Sequence, residues 1–324
     1  MNKQMQIIIG KNAGFCYGVN NAVTKTIETL LGEDKNCNEE VYCLGELVHN
    51  KQVVEKLERR GLTVIETVEE LEKVRKGNDQ KQKVIIRAHG VSPMIYQRLK
   101  ELKCEIIDLT CPNVLVTHKM VEEFSNQEFY IFLIGKKTHP EVIGTYGFCK
   151  SASIIETIEE VEEAISNYKN SGKKALFILA QTTFSMIKFD EIVQLIQEKF
   201  ENDEKIDESK NNLVIKNTIC NATQIRQEET EKISKQVDYM IIVGGKNSSN
   251  TRKLYDIAKK NCEDSICVET AEELPIEEIR DKKEEKLKSL NATERTFKIG
   301  IMAGASTPKE SIEDVKTVLE RNVS

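Results

Sequence analysis

Short apolar runs recur along the chain, each closed by glycine or a polar turn, with charged stretches of helical period between them. Three of these runs lead through a small-residue turn to a cysteine: IIIGKNAGFC (7–16), IIDLTCP (106–112) and VIKNTIC (214–220). Three more close in polar turns: VYCLGELVHN (41–50), FYIFLIGKKTHPE (129–141) and YMIIVGGKNSSNT (239–251). A last set comprises VIIRAHGVS (84–92), LFILAQTTFS (176–185) and IGIMAGASTP (299–308). Apolar runs of this length, bounded by Gly and polar residues, predict buried parallel strands. The charged stretches at 51–60, 116–126, 186–200 and 226–236 predict helices between them. Strand and helix in alternation imply an α/β protein with parallel sheets and crossover helices. Such sheets bind ligands beyond the carboxyl ends of their strands.

The three sets describe an internal repeat of one pattern. Cys16, Cys111 and Cys220 are separated by 95 residues (111 minus 16) and 109 residues (220 minus 111). Each is followed by its own mid-unit polar residue (His49, His139, Ser248) and closing polar residue (His89, Thr182, Ser306). The expected units are 1–109, 110–215 and 216–324, the third lengthened by a charged insertion at 281–296 and a C-terminal tail. The polar stretch 201–212 reads as an exposed connection.

Composition narrows the class. The chain has 324 residues, 39% of them hydrophobic and 31% charged, enough for packed cores under a polar surface. A net charge of −6 without a basic run gives no footprint for nucleic acid. No apolar stretch approaches the roughly 20 residues of a membrane span, and the apolar run that ends at Gly10 is too short for a signal-peptide core. Nine cysteines without an export signal fit a reducing cytoplasm, where thiols bind metals or catalyse. The Asn-Ala-Thr triplets at Asn221 and Asn291 then read as coincidence rather than glycosylation sites.

Each candidate residue has a plain alternative. A lone cysteine is most often a small buried hydrophobe, which is the reading for Cys37, Cys43, Cys104, Cys149, Cys262 and Cys267. Cys16, Cys111 and Cys220 differ, because each stands in a turn before a predicted helix, where the N-terminus favours a thiolate. Three such thiolates can hold an iron–sulfur cluster and leave one iron open for chemistry. His49, His89 and His139 end apolar runs, whereas His118, seven residues after Cys111 on a predicted helix, reads as a packing or surface residue. Glu141 follows His139 across a stiff proline and suits proton delivery. The turn GGKNSSNT sets Ser248, Ser249 and Asn250 where a helix begins, a place for an anion such as a diphosphate. It lacks the spacing of a phosphate-binding GxxxxGK[ST] loop. Together these groups suit reduction or dehydration of a small phosphorylated molecule. A non-redox iron–sulfur hydro-lyase, an iron–sulfur sensor and a structural zinc protein are the alternatives.

The runs AGFCYGV, LGELVHN, RAHGVSP, DLTCP, HPEVIGTYG, QTT, TICNATQIRQ, GGKNSSNT and AGASTP also stand in an order that resembles the 4-hydroxy-3-methylbut-2-enyl diphosphate reductases of the non-mevalonate isoprenoid pathway. The resemblance spans nearly the whole chain. It implies three pseudo-threefold-related α/β domains in a trefoil around a [4Fe–4S] cluster. It implies reductive removal of the substrate hydroxyl, giving isopentenyl and dimethylallyl diphosphates, with an external electron donor such as ferredoxin or flavodoxin. By the same resemblance Cys16, Cys111 and Cys220 are the three cluster ligands, and one iron site stays open. His49, His89, His139, Ser248, Ser249, Asn250 and Ser306 fall on diphosphate-binding positions. Glu141 falls on the proton-delivery carboxylate, with His139 beside it in the catalytic set, and Thr182 on the residue that hydrogen-bonds the substrate hydroxyl. Two departures are visible: Asn20-Asn21 where a basic residue is usual, and Met302 where a smaller or β-branched residue is usual.

Overall fold

The computed structural model describes residues 5–32, 40–74, 82–201, 212–289 and 296–323. Cys37, Asn291, nearly all of the polar connection 201–212 and part of the insertion 281–296 lie outside the described residues. The chain begins with β1 (Met5–Ile9), α1 (Tyr17–Leu31), β2 (Val41–Leu44), α2 (Lys51–Glu58), β3 (Leu62–Ile65), α3 (Val68–Val74), β4 (Lys83–Ile86), α4 (Pro93–Glu101) and β5 (Glu105–Asp108). Next come α5 (Pro112–Asn126), β6 (Tyr130–Ile134), α6 (Pro140–Tyr146), β7 (Ala152–Ile155), α7 (Val161–Asn170), β8 (Ala175–Ala180), α8 (Met186–Glu201) and β9 (Asn212–Lys216). The last stretch holds α9 (Asn221–Ser234), β10 (Tyr239–Val243), α10 (Ser249–Asn261), β11 (Ser265–Val268), α11 (Ile276–Ser289), β12 (Phe297–Ala303) and α12 (Lys309–Asn322).

Among the described residues the strands form three four-stranded sheets in which every pairing is parallel. Their orders are β3-β2-β4-β5, β7-β6-β8-β9 and β11-β10-β12-β1. The order is the same in all three, so the internal repeat is real, but its phase differs from expectation. The strand leading to a cysteine closes a sheet rather than opening one. β5 leads to Cys111 and β9 to Cys220, each as the last strand of its sheet. In the third sheet that edge is filled by β1, which pairs with β12 from Met5↔Phe297 to Ile9↔Ile301. The run that leads to Cys16 therefore does not belong with the sheet of residues 41–108, as a first unit of 1–109 requires. The edge beside β12 needs a fourth parallel strand, and residues 5–9 supply it.

The chain divides into two compact units. One comprises Met1–Val19, His49–Val53 and Asn221–Ser324; the other comprises Asn20–Val48 and Val54–Cys220. The first unit contains the sheet β11-β10-β12-β1 and the second contains the other two sheets.

The inner strands are buried on both faces, which is why they read as unbroken apolar runs. In the β6–β8 pair, Phe132, Ile134, Ile178 and Ala180 pack with Tyr168, Ile192 and Ile196 on one side. Ile131, Leu133, Phe177 and Leu179 pack with Val121 and Val142 on the other. The third sheet alternates likewise, with Ile241, Val243, Ile299 and Ile301 against Val315 and Leu319, and Met240, Ile242 and Met302 against Leu254 and Ala258. Each such side chain contributes about 1.5–3 kcal/mol when fully buried. After β2, β6 and β10 the three sheets make the same turn: the N–H of Gly45, Gly135 or Gly244 donates to the carbonyl of Ile65, Ile155 or Val268 at 2.6, 2.9 and 2.9 Å. These turns aim the loops that carry the candidate chemistry.

Candidate functional site

All the candidate residues stand in loops or helix starts at the carboxyl ends of strands. The three cysteines occupy equivalent backbone positions. Cys16 N–H donates to the Ala305 carbonyl at 3.1 Å, Cys111 N–H to that of Ala88 at 2.9 Å, and Cys220 N–H to that of Thr182 at 2.9 Å. Each acceptor is the second residue past the third strand of its sheet, after Ile86, Ala180 or Ala303. The residue after each cysteine opens a helix: Tyr17 of α1, Pro112 of α5 and Asn221 of α9. This register also corrects one equivalence. The counterparts of Thr182 are Ala88 and Ala305, while His89 and Ser306 stand one residue further on.

The other thiols have different surroundings. Burial pushes Cys43 and Cys149 up to about 12 and Cys267 up to about 11, so they remain thiols. Cys43 is fully buried inside β2.

In the first unit, Cys16, His49, Ser306 and the turn before α10 are joined by contacts. Cys16 is bonded to Ala305, and the next residue, Ser306, donates its hydroxyl to the His49 carbonyl at 3.0 Å. The same carbonyl presses on Gly245, where a Cβ would lie 2.7 Å from it. Ser248 caps α10, its Oγ accepting the Thr251 N–H at 3.2 Å. Ser249 opens that helix, half-buried. Asn250 is only 3% exposed, yet among the described residues neither its amide nitrogen nor its amide oxygen has a hydrogen-bond partner. A buried amide without partners costs about 1–3 kcal/mol, which a bound ligand recovers. Met302, the unusual residue before AGAST, packs its sulfur against Gly10, where a Cβ would lie 1.9 Å from it and force the methionine to shift.

In the second unit the candidates form one connected series. Cys111 is bonded to Ala88, next to His89, whose ring meets that of His139 edge-on at 5.4 Å. His139 caps α6, its Nδ1 accepting the Glu141 N–H at 3.2 Å. That bond puts the proton of the neutral ring on Nε2, so His139 presents a donor. Glu141, 2% exposed, accepts the Thr182 N–H at 2.6 Å through Oε1 and the Thr182 hydroxyl at 2.9 Å through Oε2. The Thr182 carbonyl in turn accepts the Cys220 N–H. Burial pushes the Glu141 carboxyl up to about 7, against the pull of the two Thr182 hydrogen bonds. A carboxyl poised there can hold or give a proton near neutral pH.

His118 takes the packing role expected of it. Its ring stacks on Phe148 at 4.4 Å, and burial pushes it down to about 4, so it stays neutral. Arg226 and Glu229 on α9 were not singled out by sequence; the run TICNATQIRQ contains the arginine, but nothing in it shows what the guanidinium reaches. No described helix is long and apolar enough to cross a membrane.

Comparison with known proteins agrees with this geometry. Residues 7–320 match the family described as LytB protein. The chain is 40% identical over 312 residues to the 4-hydroxy-3-methylbut-2-enyl diphosphate reductase of Caldanaerobacter subterraneus subsp. tengcongensis, covering 96% of this chain and 95% of that protein. It is 38% identical over 320 residues to the enzyme of the same name from Clostridioides difficile, covering 98% and 99%. The solved structure of the E-1-hydroxy-2-methyl-but-2-enyl-4-diphosphate reductase from Plasmodium falciparum superposes with a TM-score of 0.79 at 31% identity, over 97% of this chain and 88% of that one. With the fold, the repeat and the near-complete coverage in agreement, the chain belongs to the LytB family, among the 4-hydroxy-3-methylbut-2-enyl diphosphate reductases.

Proposed function

We propose that this chain reduces (E)-4-hydroxy-3-methylbut-2-enyl diphosphate to isopentenyl and dimethylallyl diphosphates in the cytoplasm. The observation that carries the reading is the common backbone position of Cys16, Cys111 and Cys220, each bonded at the end of a third strand and each before a helix. This donor set suits a [4Fe–4S] cluster with three thiolate ligands and one open iron. When bound, the cluster supplies electrons one at a time and a Lewis-acidic iron for the substrate hydroxyl. The balance is two electrons and two protons per turnover: a C–O bond breaks, a C–H bond forms and water leaves. The electrons come from an external carrier such as ferredoxin or flavodoxin.

The protein's own groups do the rest. The diphosphate is held by Ser248, Ser249, Asn250 and Ser306 together with His49, His89 and the Nε2–H of His139. The unpartnered amide of Asn250 supports this role most directly. Holding the diphosphate fixes the carbon chain and removes its orientational freedom before reaction. Thr182 hydrogen-bonds the substrate hydroxyl, and Glu141 carries the proton that departs with it as water.

The test is anaerobic turnover with a chemical reductant, alongside iron content. Cys16→Ser, Cys111→Ser and Cys220→Ser should each lose most iron and activity, while Cys262→Ser keeps both. Turnover that proceeds without any reductant would assign the chain to the hydro-lyases instead, and full iron in Cys111→Ser would sink the ligand assignment.

A further inference from the structure

The turn in front of each cysteine has to be held, because a thiolate aimed from a loose loop is a poor ligand. All three lie against their sheets, and the turn before Cys16 is closed by the Ala13 N–H donating to the Gly10 carbonyl at 3.1 Å, but only two are gripped by a side chain of their own. Before Cys111, Asp108 Oδ1 accepts the Thr110 N–H at 3.0 Å and also the Thr110 hydroxyl. Before Cys220, Asn217 Oδ1 accepts the Ile219 N–H at 3.0 Å. In both, the side chain three residues ahead of the cysteine grips the amide just before it, the usual Asx turn. The corresponding residue ahead of Cys16 is Ala13, which has no acceptor.

The missing grip comes from α9, more than 200 residues away. The Arg226 guanidinium, 5% exposed, donates through Nη2 to the Gly14 carbonyl at 2.7 Å. Its Nη1 donates to the Ala222 carbonyl of its own helix at 2.8 Å, which fixes the reach of the side chain. One turn further along, Glu229 accepts the Lys11 N–H at 2.7 Å through one oxygen. Its other oxygen accepts the Asn12 N–H and the Asn12 side-chain amide, both at 3.0 Å. These are charge-assisted bonds, stronger than neutral ones. Gly14 adopts φ +99°, and a Cβ there would lie 3.2 Å from Ile312 Cδ1 and 3.3 Å from the Thr307 carbonyl oxygen. The turn is thus clasped by α9 on one side and by the start of α12 on the other.

We propose that Arg226 and Glu229 are positioning residues for Cys16, doing from a distant helix what Asp108 and Asn217 do locally for the other two thiolates. The inference rests on the three-cysteine cluster proposed above. It also gives α9 two duties, since the residue immediately before that helix is Cys220.

The experiment challenges anaerobic holoenzyme with a ferrous chelator and a thiol-alkylating reagent together. Iron release is followed by absorbance, and the order in which cysteines become labelled by mass spectrometry. In the wild type, Cys16, Cys111 and Cys220 should label together as iron leaves. In Arg226→Ala, iron should leave at least tenfold faster, with Cys16 labelled ahead of Cys111 and Cys220. Glu229→Gln, which keeps a single acceptor oxygen, should show the same order more weakly, and Arg226→Lys should fall between wild type and Arg226→Ala. Glu228→Gln, exposed on the same helix, is the control and should match the wild type. A general loss of structure would label the buried Cys43 and Cys262 at the same time and would overturn the inference, as would wild-type release and labelling in both Arg226→Ala and Glu229→Gln. Cys16→Ser separates the two levels. If that variant keeps its iron, the cluster assignment fails; if it loses iron while the α9 variants behave as wild type, only the positioning role fails.

Discussion

Glu141 is the carboxyl to which the proposed proton delivery is assigned. Each of its oxygens accepts a hydrogen bond from Thr182, and yet burial wins, leaving it near 7. A carboxyl raised above its ordinary range contributes stability that is complete below about 4.5 and is lost as pH rises through about 7. Glu141→Gln removes that loss. Relative to the wild type, the iron-free variant should gain stability between pH 4.5 and pH 8.5 by up to about 3 kcal/mol, the equivalent of the shift. Urea unfolding at the two pH values measures it, and a difference independent of pH would show that the carboxylate is already ionised in acid. The holoenzyme carrying Glu141→Gln should bind substrate normally and turn over about 100-fold more slowly, the scale of lost general acid catalysis. His118 is the counter-case: equally buried, it is pushed down rather than up, stacks on a phenylalanine and takes no proton at neutral pH.

At the scale of elements, the strand-end turns do the positioning. Gly244 has φ +151°, and a Cβ there would lie 2.6 Å from Thr251 Oγ1 and 2.7 Å from Thr307 Oγ1. Gly172 also has a left-handed φ, +70°, but with nothing within 4 Å of the added atom. Gly172→Ala should therefore cost only the backbone strain, about 1–2 kcal/mol. Gly244→Ala should cost more, because α10 has to move to make room, and affinity for inorganic diphosphate should fall with it. Thermal unfolding resolves the two, since 1 kcal/mol shifts the midpoint by about 2–4 °C in domains of this size. Equal shifts would mean that the turn has slack. The same elements decide what could be read beforehand. The inner strands announce themselves because both faces are buried. β3, β7 and β11 are absent from that reading: LTVI, ASII and SICV are four-residue edge strands, and what marks them is the run after each, ETVEE (66–70), ETIEE (156–160) and ETAEE (269–273). The candidate site was legible because its side chains cluster in turns that close apolar runs. Its register was not: the sequence pattern aligns Thr182 with His89, whereas the residue that accepts from Cys111 as Thr182 accepts from Cys220 is Ala88. The clasp from Arg226 and Glu229 was invisible, since no local pattern records a contact across more than 200 residues.

At the scale of the molecule, the third sheet depends on residues far apart in sequence. Met5 pairs with Phe297, a separation of 292 residues (297 minus 5). Contacts this distant slow folding, because the loop must close before the pairing repays it. Alternating strand and helix announced an α/β fold, but nothing local told which sheet the first strand would join. In ribosome-bound chains stalled before β12 emerges, Cys16 should alkylate at the rate of an unfolded peptide while Cys111, whose partner Ala88 is already made, is slower. Equal rates would show that residues 5–16 find another anchor.

The pairing of β1 with β12 also sets a schedule. At roughly 5–20 residues per second, roughly 15–60 s pass between the synthesis of Met5 and that of its partner Phe297. Cys16 is the first of the proposed ligands to leave the ribosome and the last to reach its place. For that interval it is an open thiol, available to oxidants and to any thiophilic ion. On the proposed cluster assignment, loading of iron and sulfide follows translation, and a cell that makes this chain in air exposes the proposed ligand made first for longest.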